Sequence, residues 1–203
     1  MAVPSPPPSP EDTATAKTAL RRDMRARRQA FVADLPDHER EEQEEALAAL
    51  VLPLLPPFGT LASYAAIGDE ISPTAVEAVF SGMVAFPHFD SRDAPMTFRA
   101  AGVSLVKGPY GVPQPVGHAP ELDPDAVLVP LIATTPGGVR LGQGGGHYDR
   151  WLAAQREAGL RVPTIGIAWD CQIVESLPAE PWDEMLDYIA TPTALYGPHG
   201  RTA

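Results

Sequence analysis

The residues best suited to chemistry lie in one glycine-dense stretch, residues 137–151, which reads G-G-V-R-L-G-Q-G-G-G-H-Y-D-R-W. It follows an apolar run at residues 126–133 that is typical of a buried strand, and it leads into a segment with helical character. A strand, a glycine-rich turn and a helix N-terminus together present backbone N–H groups to a phosphate. Arg140 adds a phosphate-pairing cation, and Asp149 adds a carboxylate that could hold a hard metal ion. The stretch therefore predicts an anion-binding site.

The glycine spacing within this stretch matches no common nucleotide-binding fingerprint. The glycines of residues 142–146 do not reproduce G-x-G-x-x-G, and G-x-x-x-x-G-K-[ST] does not occur in the chain. On the glycines alone, an ordinary flexible connection explains the pattern equally well. Arg140 and Asp149 favour the phosphate site, because a plain linker has no need of such residues.

A second candidate feature is a cluster of basic residues near the start of the chain. Six of the 15 Lys and Arg residues fall between Lys17 and Arg28. The pattern predicts an amphipathic helix. Its expected buried stripe comprises Leu20, Met24 and Phe31. Lys17 and Arg21 are four residues apart and would point from the same side, where two cations could clamp a polyphosphate. The alternative is a solvated basic face that balances the acidic run at residues 39–45.

One carboxylate stands where open α/β sheets place their ligands. Residues 60–66 predict a strand, and Glu70 lies in the connection after its C-terminal end. A lone loop glutamate is usually only solvated, so Glu70 by itself does not indicate a site. His88 and His118 have no partner at ligand spacing, and we therefore expect no zinc site.

The elements that must position these residues alternate between strands and helices. Further strands are predicted at residues 83–86, ending before Pro87, at 96–99 and at 162–169, and helices at residues 37–52, 72–80 and 147–158. This alternation predicts an α/β fold, a single domain over residues 15–203 with three α/β/α layers and a largely parallel or mixed central sheet. Residues 1–14, rich in Pro, Ser, Ala and Thr, are expected to form a disordered leader.

Composition narrows the function classes. With 203 residues, 44% of them hydrophobic, the chain can form one core of ordinary size. The net charge of −11 argues against a nucleic-acid partner, because phosphate backbones need clustered Lys and Arg.

Cys171 is the single cysteine and no signal peptide is recognisable, so we expect the protein to lie in the reducing cytoplasm. The apolar runs are too short to span a membrane, and no apolar heptad pattern indicates self-association, so we expect a soluble monomer.

Several motifs occur in this chain in one order. R-L-G-x-G-x-G-x-Y-D at residues 140–149 follows a hydrophobic strand, and K-x-x-L-R at residues 17–21 lies in the early helix. The others are Asp69-Glu70, Phe86-Pro87, G-P-Y-G-V-P-Q-P at residues 108–115, and Leu177-Pro178 leading to Asp183 and Asp187. Together they resemble the 5-formyltetrahydrofolate cyclo-ligase family, also called methenyltetrahydrofolate synthetases. The resemblance runs from about Lys17 to Thr191, and the shared order of the motifs makes it specific.

The resemblance implies the ATP-dependent closure of 5-formyltetrahydrofolate to 5,10-methenyltetrahydrofolate, with release of ADP and phosphate. The formyl oxygen would attack the γ-phosphate of ATP, and nitrogen 10 would then close the ring as phosphate departs. In such a phosphoryl transfer the protein mainly positions the reactants and neutralises charge, so no dedicated general base is required.

The same resemblance implies a set of site residues. ATP would be bound by Lys17, Arg21, Arg140, Leu141, Gly142, Gln143, Gly144, Gly145, Gly146, His147 and Tyr148. The reduced folate would meet Ala65, Glu70, Gln143, Gly144, Gly145, Gly146 and His147. Mg²⁺ would be held by Asp149 and Asp183, and the catalytic set would be Arg140, Lys17, Arg21 and Tyr148.

Two positions depart from the family pattern. The family usually carries a second aromatic residue, Tyr or Phe, at the position of His147, and it often has a histidine where this chain has Trp182. These changes leave open an alternative from another class, a non-catalytic paralogue that binds reduced folate or nucleotide. A further alternative is a kinase-like enzyme that acts on another small amide or acid.

Overall fold

The chain folds around a central β-sheet with helices on both faces. The computed structural model describes residues 9–102 and 104–199, apart from the side chains of Pro10 and Tyr110. The helices are α1 (Pro10–Ala33), α2 (Asp37–Val51), α3 (Thr74–Val79) and α4 (His147–Glu157). Short 3-10 turns span Leu52–Leu54, Pro109–Gly111 and Asp170–Gln172. The strands are β1 (Thr60–Ala62), β2 (Met83–His88), β3 (Thr97–Ala100), β4 (Leu105–Lys107), β5 (Pro113–Pro115), β6 (Ala126–Pro130), β7 (Ala133–Thr134), β8 (Arg140–Leu141), β9 (Thr164–Ile167), β10 (Tyr188–Ala190) and β11 (Leu195–Tyr196).

Seven strands form the central sheet, in the order β11-β10-β9-β6-β1-β2-β3. The five inner strands are parallel, and the edge strands β3 and β11 are antiparallel to their neighbours. From β1 the chain proceeds to β2 on one side, whereas from β6 it proceeds to β9 on the other. The strand order therefore reverses between β1 and β6, and open α/β sheets bind ligands at the C-terminal ends of strands at such a point.

The three-layer packing follows from strands that are apolar on both faces. In β6, Leu128 packs into a cluster with Leu47 of α2 and Val76 of α3. Its neighbour Val127 points to the opposite face, into a cluster with Leu152 of α4. Because successive strand side chains alternate between faces, a fully apolar strand needs a layer on each side. The predicted fold class is confirmed: the fold is mixed α/β with a mostly parallel central sheet.

Helix α1 begins earlier than the sequence indicated. Residues 10–14, which were expected to belong to the disordered leader, form its first turns, so that part of the expectation is wrong. The Ser9 hydroxyl accepts a hydrogen bond from the Asp12 backbone N–H at 3.2 Å, and the Asp12 carboxylate accepts one from the Ser9 N–H at 3.3 Å. This capping box, with Pro10 at the first helical position, starts the helix despite its poor apolar content. Residues 1–8 of the expected leader lie outside the described residues.

Strand β2 also differs from its prediction, because it continues through Pro87 to His88. The neighbouring β1 ends at Ala62, opposite Ala85, so beyond Ala85 the strand β2 is paired only with β3. A proline without an N–H is tolerated where one side of a strand is unpaired. The predicted strand at residues 60–66 is shorter than expected, and its last four residues belong to the loop that follows β1. Within the described residues, no helix has the length and apolar character needed to cross a membrane.

Candidate active site

The glycine-rich loop joins strand β8 to helix α4 at the C-terminal side of the sheet. Arg140 and Leu141 form β8, which pairs with β7, and the loop ends at Gly146, the N-cap of α4. Gly146 has φ 66°, and no side chain caps the helix. A Cβ at this position would lie 2.9 Å from Nη1 of Arg150. The first turn of α4 therefore offers backbone N–H groups, with the positive end of the helix dipole, to an anion.

Helix α1 brings its cations to this loop. The Nε of Arg21 donates to the Gly142 carbonyl at 2.9 Å, and Nη2 of Arg25 donates to the Gln143 side-chain oxygen at 2.8 Å. A Cβ on Gly144 would lie 3.4 Å from the Arg21 guanidinium carbon. The structure thus brings together two of the predicted ATP-binding regions, which are more than a hundred residues apart in sequence.

Lys17 is buried and lies between two carboxylates. Its Nζ is 2.6 Å from Oε2 of Glu180 and 2.6 Å from Oδ2 of Asp183. Burial alone would lower the pKa of Lys17, but the hydrogen bonds and charges of Asp183 and Glu180 outweigh it, and the pKa is raised. The ammonium is therefore permanently charged. The alternative of a solvated basic face is wrong for Lys17 and for Arg28, which are 5% and 6% exposed.

Arg140 and Asp149 form a second ion pair at the opposite end of the loop. Nη2 of Arg140 donates to Oδ1 of Asp149 at 2.6 Å, and its Nη1 donates to the Glu184 carbonyl. The Glu184 N–H in turn donates to Asp149 Oδ1 at 3.3 Å. Asp183 directly precedes Glu184 in the sequence. The segment that contacts Asp149 therefore also carries Asp183, the other aspartate predicted to bind Mg²⁺.

The donor set at these aspartates fits a partly hydrated Mg²⁺ ion. Each has one oxygen tied to a protein cation, and within the described residues Oδ2 of Asp149 and Oδ1 of Asp183 accept no hydrogen bond. In that part of the chain no three His, Cys, Asp or Glu side chains converge as a metal cage. Mg²⁺ is commonly held by one or two carboxylates together with substrate phosphates and water. The residues therefore suit an ion whose coordination a phosphate completes, and the Mg²⁺ assignment stays a prediction.

Glu70 occupies the other side of the loop, past the end of β1 in the same connection as Ala65. It is buried, and its Oε2 accepts a hydrogen bond from the Ile67 N–H at 3.0 Å. Its Oε1 accepts one from the Gln143 side-chain nitrogen at 2.9 Å. Glu70 is therefore not a solvated loop residue but part of a built polar cluster. Gln143 connects this cluster to Arg25 and so to helix α1.

His147 begins helix α4, and its ring stacks on Phe89 with ring centroids 4.0 Å apart. Arg150 Nη2 lies 3.2 Å from the His147 Nδ1, and because a guanidinium can only donate, the ring proton belongs on Nε2. Burial, followed by the charges of Arg150 and Arg92, lowers the pKa of His147 below its usual value. The ring is therefore neutral at physiological pH.

Tyr148 follows His147 and points its hydroxyl into the protein. The hydroxyl oxygen is buried and has no hydrogen-bond partner among the described residues. Burial, and then the charge of Glu70, raise the pKa of Tyr148 well above its usual value. The hydroxyl therefore stays protonated and can act as a hydrogen-bond donor.

Some residues of this cluster carry no clear signal in the sequence. Glu180 and Glu184 are recognisable only from the contacts that they make with Lys17 and Asp149. Arg28 does carry a signal, since it lies four residues after Met24 and three before Phe31, on the helical stripe that is expected to be buried.

Comparisons with known proteins identify the family to which the chain belongs. A sequence profile of the 5-formyltetrahydrofolate cyclo-ligase family matches residues 13–192. The protein named 5-formyltetrahydrofolate cyclo-ligase from Mycolicibacterium smegmatis (strain ATCC 700084 / mc(2)155) is 26% identical over 201 residues, 91% of this chain and 95% of that protein. Its namesake from Escherichia coli (strain K12) is 40% identical over 88 residues, 39% of this chain and 47% of that protein, so that match spans about half of the relative.

The fold is similar to a solved structure with a related name. The NMR structure of Aquifex aeolicus 5,10-methenyltetrahydrofolate synthetase superposes with a TM-score of 0.71 at 24% identity, covering 92% of this chain and 95% of that one. At this level of identity the likeness concerns the fold alone. The profile match extends over most of the chain and includes the glycine-rich loop, the basic helix and Glu70. The chain therefore belongs to the 5-formyltetrahydrofolate cyclo-ligase family, as its motifs predict.

Proposed function

We propose that the protein converts 5-formyltetrahydrofolate to 5,10-methenyltetrahydrofolate at the expense of ATP, releasing ADP and phosphate. The observation that carries this proposal is the position of Gln143. It lies in the phosphate-type loop, yet its side chain contacts both Glu70 and the α1 residue Arg25. Two half-sites, one suited to phosphate and one suited to a polar heterocycle, therefore adjoin at a single residue.

The phosphate half-site neutralises charge on ATP. Lys17, Arg21 and Arg140 supply fixed cations, and the uncapped start of α4 supplies backbone N–H donors. Mg²⁺, bound by Asp149 and Asp183, would add a divalent charge on the phosphate oxygens. Cations and donors held in place before the reaction stabilise the charge that develops as the γ-phosphoryl group moves.

The reaction then needs little more than alignment. The formyl oxygen forms a bond to the γ-phosphorus as the bond to ADP breaks, which converts a poor leaving group into phosphate. Nitrogen 10 attacks the formyl carbon and loses its proton, and the carbon–oxygen bond breaks with departure of phosphate. Within the described residues, neither neutral His147, whose Nδ1 accepts from Arg150, nor protonated Tyr148 is suited to serve as a strong base. Orientation is thus the protein's main contribution.

We also infer that the chain forms a single domain that begins with α1, that it is a monomer, and that it is located in the cytoplasm. The lone, half-buried Cys171 and the acidic net charge of −11 support a reducing compartment and small-molecule partners rather than nucleic acid.

The test is an assay of purified protein with 5-formyltetrahydrofolate, Mg²⁺ and ATP. We expect the absorbance of the methenyl product to appear together with ADP in equal amounts. ATP binding without product would favour the non-catalytic paralogue, and ADP release only with some other substrate would favour the kinase-like enzyme.

A variant pair tests the metal assignment in the same assay. Asp149→Asn should lose activity at limiting Mg²⁺ and regain part of it when Mg²⁺ is raised, because an amide is a weaker ligand than a carboxylate. Asp23→Asn, at a side chain 61% exposed, is the matched control and should behave as the unaltered protein. Full activity of Asp149→Asn at limiting Mg²⁺ would contradict the assignment.

A further inference from the structure

Arg150, in the first turn of helix α4, holds the glycine-rich loop from one side. Its Nη1 donates to the Gly145 carbonyl at 3.0 Å, and its Nη2 donates to the Arg92 carbonyl at 2.8 Å. The same Nη2 lies 3.2 Å from Nδ1 of His147. One guanidinium therefore joins three segments, namely the glycine-rich loop, the start of α4 and the connection between β2 and β3.

Two other carbonyls of the loop are held by guanidinium groups as well. Nε of Arg21 donates to the Gly142 carbonyl at 2.9 Å, and Nη2 of Arg92 donates to the Gly144 carbonyl at 3.4 Å. In contrast, the backbone N–H groups of residues 143–146 donate to no acceptor among the described residues. The loop thus has its carbonyls bound and its N–H groups available.

The contact with Arg150 fixes the direction of one of these N–H groups. The peptide between Gly145 and Gly146 is trans, and a trans peptide points its C=O and its N–H in opposite directions. With the carbonyl turned towards Arg150, the Gly146 N–H faces the other side. It adjoins the N–H groups of His147 and Tyr148, which begin a helix without a side-chain cap. Successive free N–H groups beside a left-handed residue, here Gly146 with φ 66°, form an anion-binding concavity.

The alternative is that Arg150, which is exposed, attracts a phosphate by its charge. The contacts favour positioning, because they use both Nη atoms and three of the five N–H groups of the guanidinium. Nη1 also lies against the loop backbone, since a Cβ on Gly146 would be 2.9 Å from it. The guanidinium is therefore engaged by the protein itself.

We propose that Arg150 is a positioning residue for the nucleotide: it holds the Gly145 carbonyl so that the Gly146 N–H joins those of the first turn of α4 in facing a phosphate. This inference rests on the proposed function, since it takes ATP as the ligand. Arg150 itself touches no phosphate in this arrangement. The Arg92 carbonyl holds the second arm of the guanidinium and so makes the connection between β2 and β3 part of the phosphate site.

The first experiment removes the guanidinium. Binding of ATP with Mg²⁺ to Arg150→Met is measured by calorimetry without folate. We expect the Kd for ATP to rise about tenfold, because a hydrogen bond from the Gly146 N–H to a charged phosphate oxygen is weakened. Arg161→Met, at an exposed arginine just beyond α4, is the matched control and should keep the unaltered Kd. An unchanged Kd in Arg150→Met would overturn the inference.

The second experiment separates position from charge. Arg150→Lys keeps the positive charge, but an ammonium lacks the planar fork that reaches two carbonyls at once. We expect its Kd for ATP to stay about fivefold or more above that of the unaltered protein. Recovery to within about twofold would show that charge alone suffices and would overturn the positioning role. The lysine variant also replaces Arg150→Met if circular dichroism shows that the latter does not fold.

The third experiment observes the Gly146 N–H directly. In NMR spectra of protein labelled at the glycine nitrogens, saturating ATP with Mg²⁺ should move the Gly146 amide proton signal downfield, because the N–H gains a phosphate acceptor. In Arg150→Met this displacement should fall to about half or less. An equal displacement in the two proteins would show that Arg150 contributes only to stability, and the inference would be wrong.

The outcomes separate this inference from the function on which it rests. Conversion of 5-formyltetrahydrofolate by the unaltered protein, with unchanged ATP binding in Arg150→Met, would overturn the role of Arg150 and leave the proposed function standing. An unaltered protein that does not bind ATP would overturn both.

Discussion

Buried charge distinguishes α1 from an ordinary amphipathic helix at the level of single residues. Lys17 and Arg28 occupy inward-facing positions on either side of Met24, where apolar side chains would normally lie. Lys17 is neutralised by Glu180 and Asp183, whereas the counter-charge of Arg28 among the described residues is Glu70, 3.9 Å away. A buried charge without a hydrogen-bonded partner is destabilising, so Arg28 occupies the less favourable of the two positions.

His147 makes the strongest residue-level prediction, because its environment lowers its pKa from the usual value of 6.5. In the unfolded chain the imidazole takes up a proton more readily, so the native state is favoured above the unfolded pKa and loses that advantage as pH falls below it. In His147→Phe this loss is absent, and a phenyl ring can still stack on Phe89. We therefore expect the Tm of the variant, relative to that of the unaltered protein, to rise as pH is lowered from about 7.5 to about 5.5.

Thermal unfolding followed by circular dichroism over this range checks the expectation. His118→Phe is the matched control, because it makes the same substitution at an exposed histidine. A constant difference in Tm between His147→Phe and the unaltered protein would show that His147 is not held neutral by its surroundings.

At the level of elements, the glycine-rich loop requires glycine at some of its positions but not at others. Gly146 has φ 66°, a left-handed conformation, and an added Cβ would approach Arg150 Nη1 at 2.9 Å. Gly142 has no positive φ, and a Cβ there would meet no atom within 4 Å. An alanine substitution should therefore be costly at Gly146 and tolerated at Gly142.

We expect Gly146→Ala to lower the free energy of unfolding by about 1 to 2 kcal/mol and to weaken ATP binding, because the start of α4 must shift. Gly142→Ala should leave stability unchanged or slightly increased. Urea unfolding and ATP titration of both variants measure these effects. Equal losses at both positions would mean that the loop does not depend on the left-handed turn.

The same elements show how far sequence reasoning extends. The residues of β6 were recognisable because a strand buried on both faces is a continuous apolar run. The C-terminal end of α4 was recognisable because Gly159 lies just beyond it. The first turns of α1 were missed because a capping box, not apolar content, starts that helix. The extension of β2 through Pro87 depends on where its neighbour ends, and sequence does not record that.

The candidate site was predictable to a similar degree. The loop chemistry and the shared helical side of Lys17 and Arg21 follow from residue type and spacing, and the family that the ordered motifs resemble is confirmed. Glu70 could not be assigned from its own surroundings in the sequence, because Gln143 and Arg28 reach it only in the folded chain. The hydrogen bond between Gln143 and Glu70 also joins residues that are far apart in sequence, so no local pattern predicts it.

At the level of the whole molecule, α1 contacts two parts of the site and the core of the sheet. Its N-terminal half reaches Glu180 and Asp183 through Lys17 and the glycine-rich loop through Arg21, and its C-terminal half packs through Phe31 on the core cluster of one sheet face. Ligands bound beneath it would therefore hold the helix to the sheet. Since a ligand that binds the native state alone stabilises that state, ligand binding at the site should raise the stability of the whole domain.

The resulting prediction concerns the thermal stability of the intact chain. ATP with Mg²⁺ at about 100 times its dissociation constant stabilises by about 2.7 kcal/mol, which for a domain of this size corresponds to a rise in Tm of about 5 to 10 °C. Two adjacent arginines form a matched pair. Arg21 donates to the Gly142 carbonyl, whereas the Arg22 side chain is 78% exposed and forms an ion pair with Asp23. At the same ATP concentration Arg21→Ala should lose most of the shift and Arg22→Ala should keep it, as measured by scanning fluorimetry. An equal loss of the Tm shift in both variants would mean that ATP interacts with the overall charge of α1 and not with a site formed by its inward-facing residues.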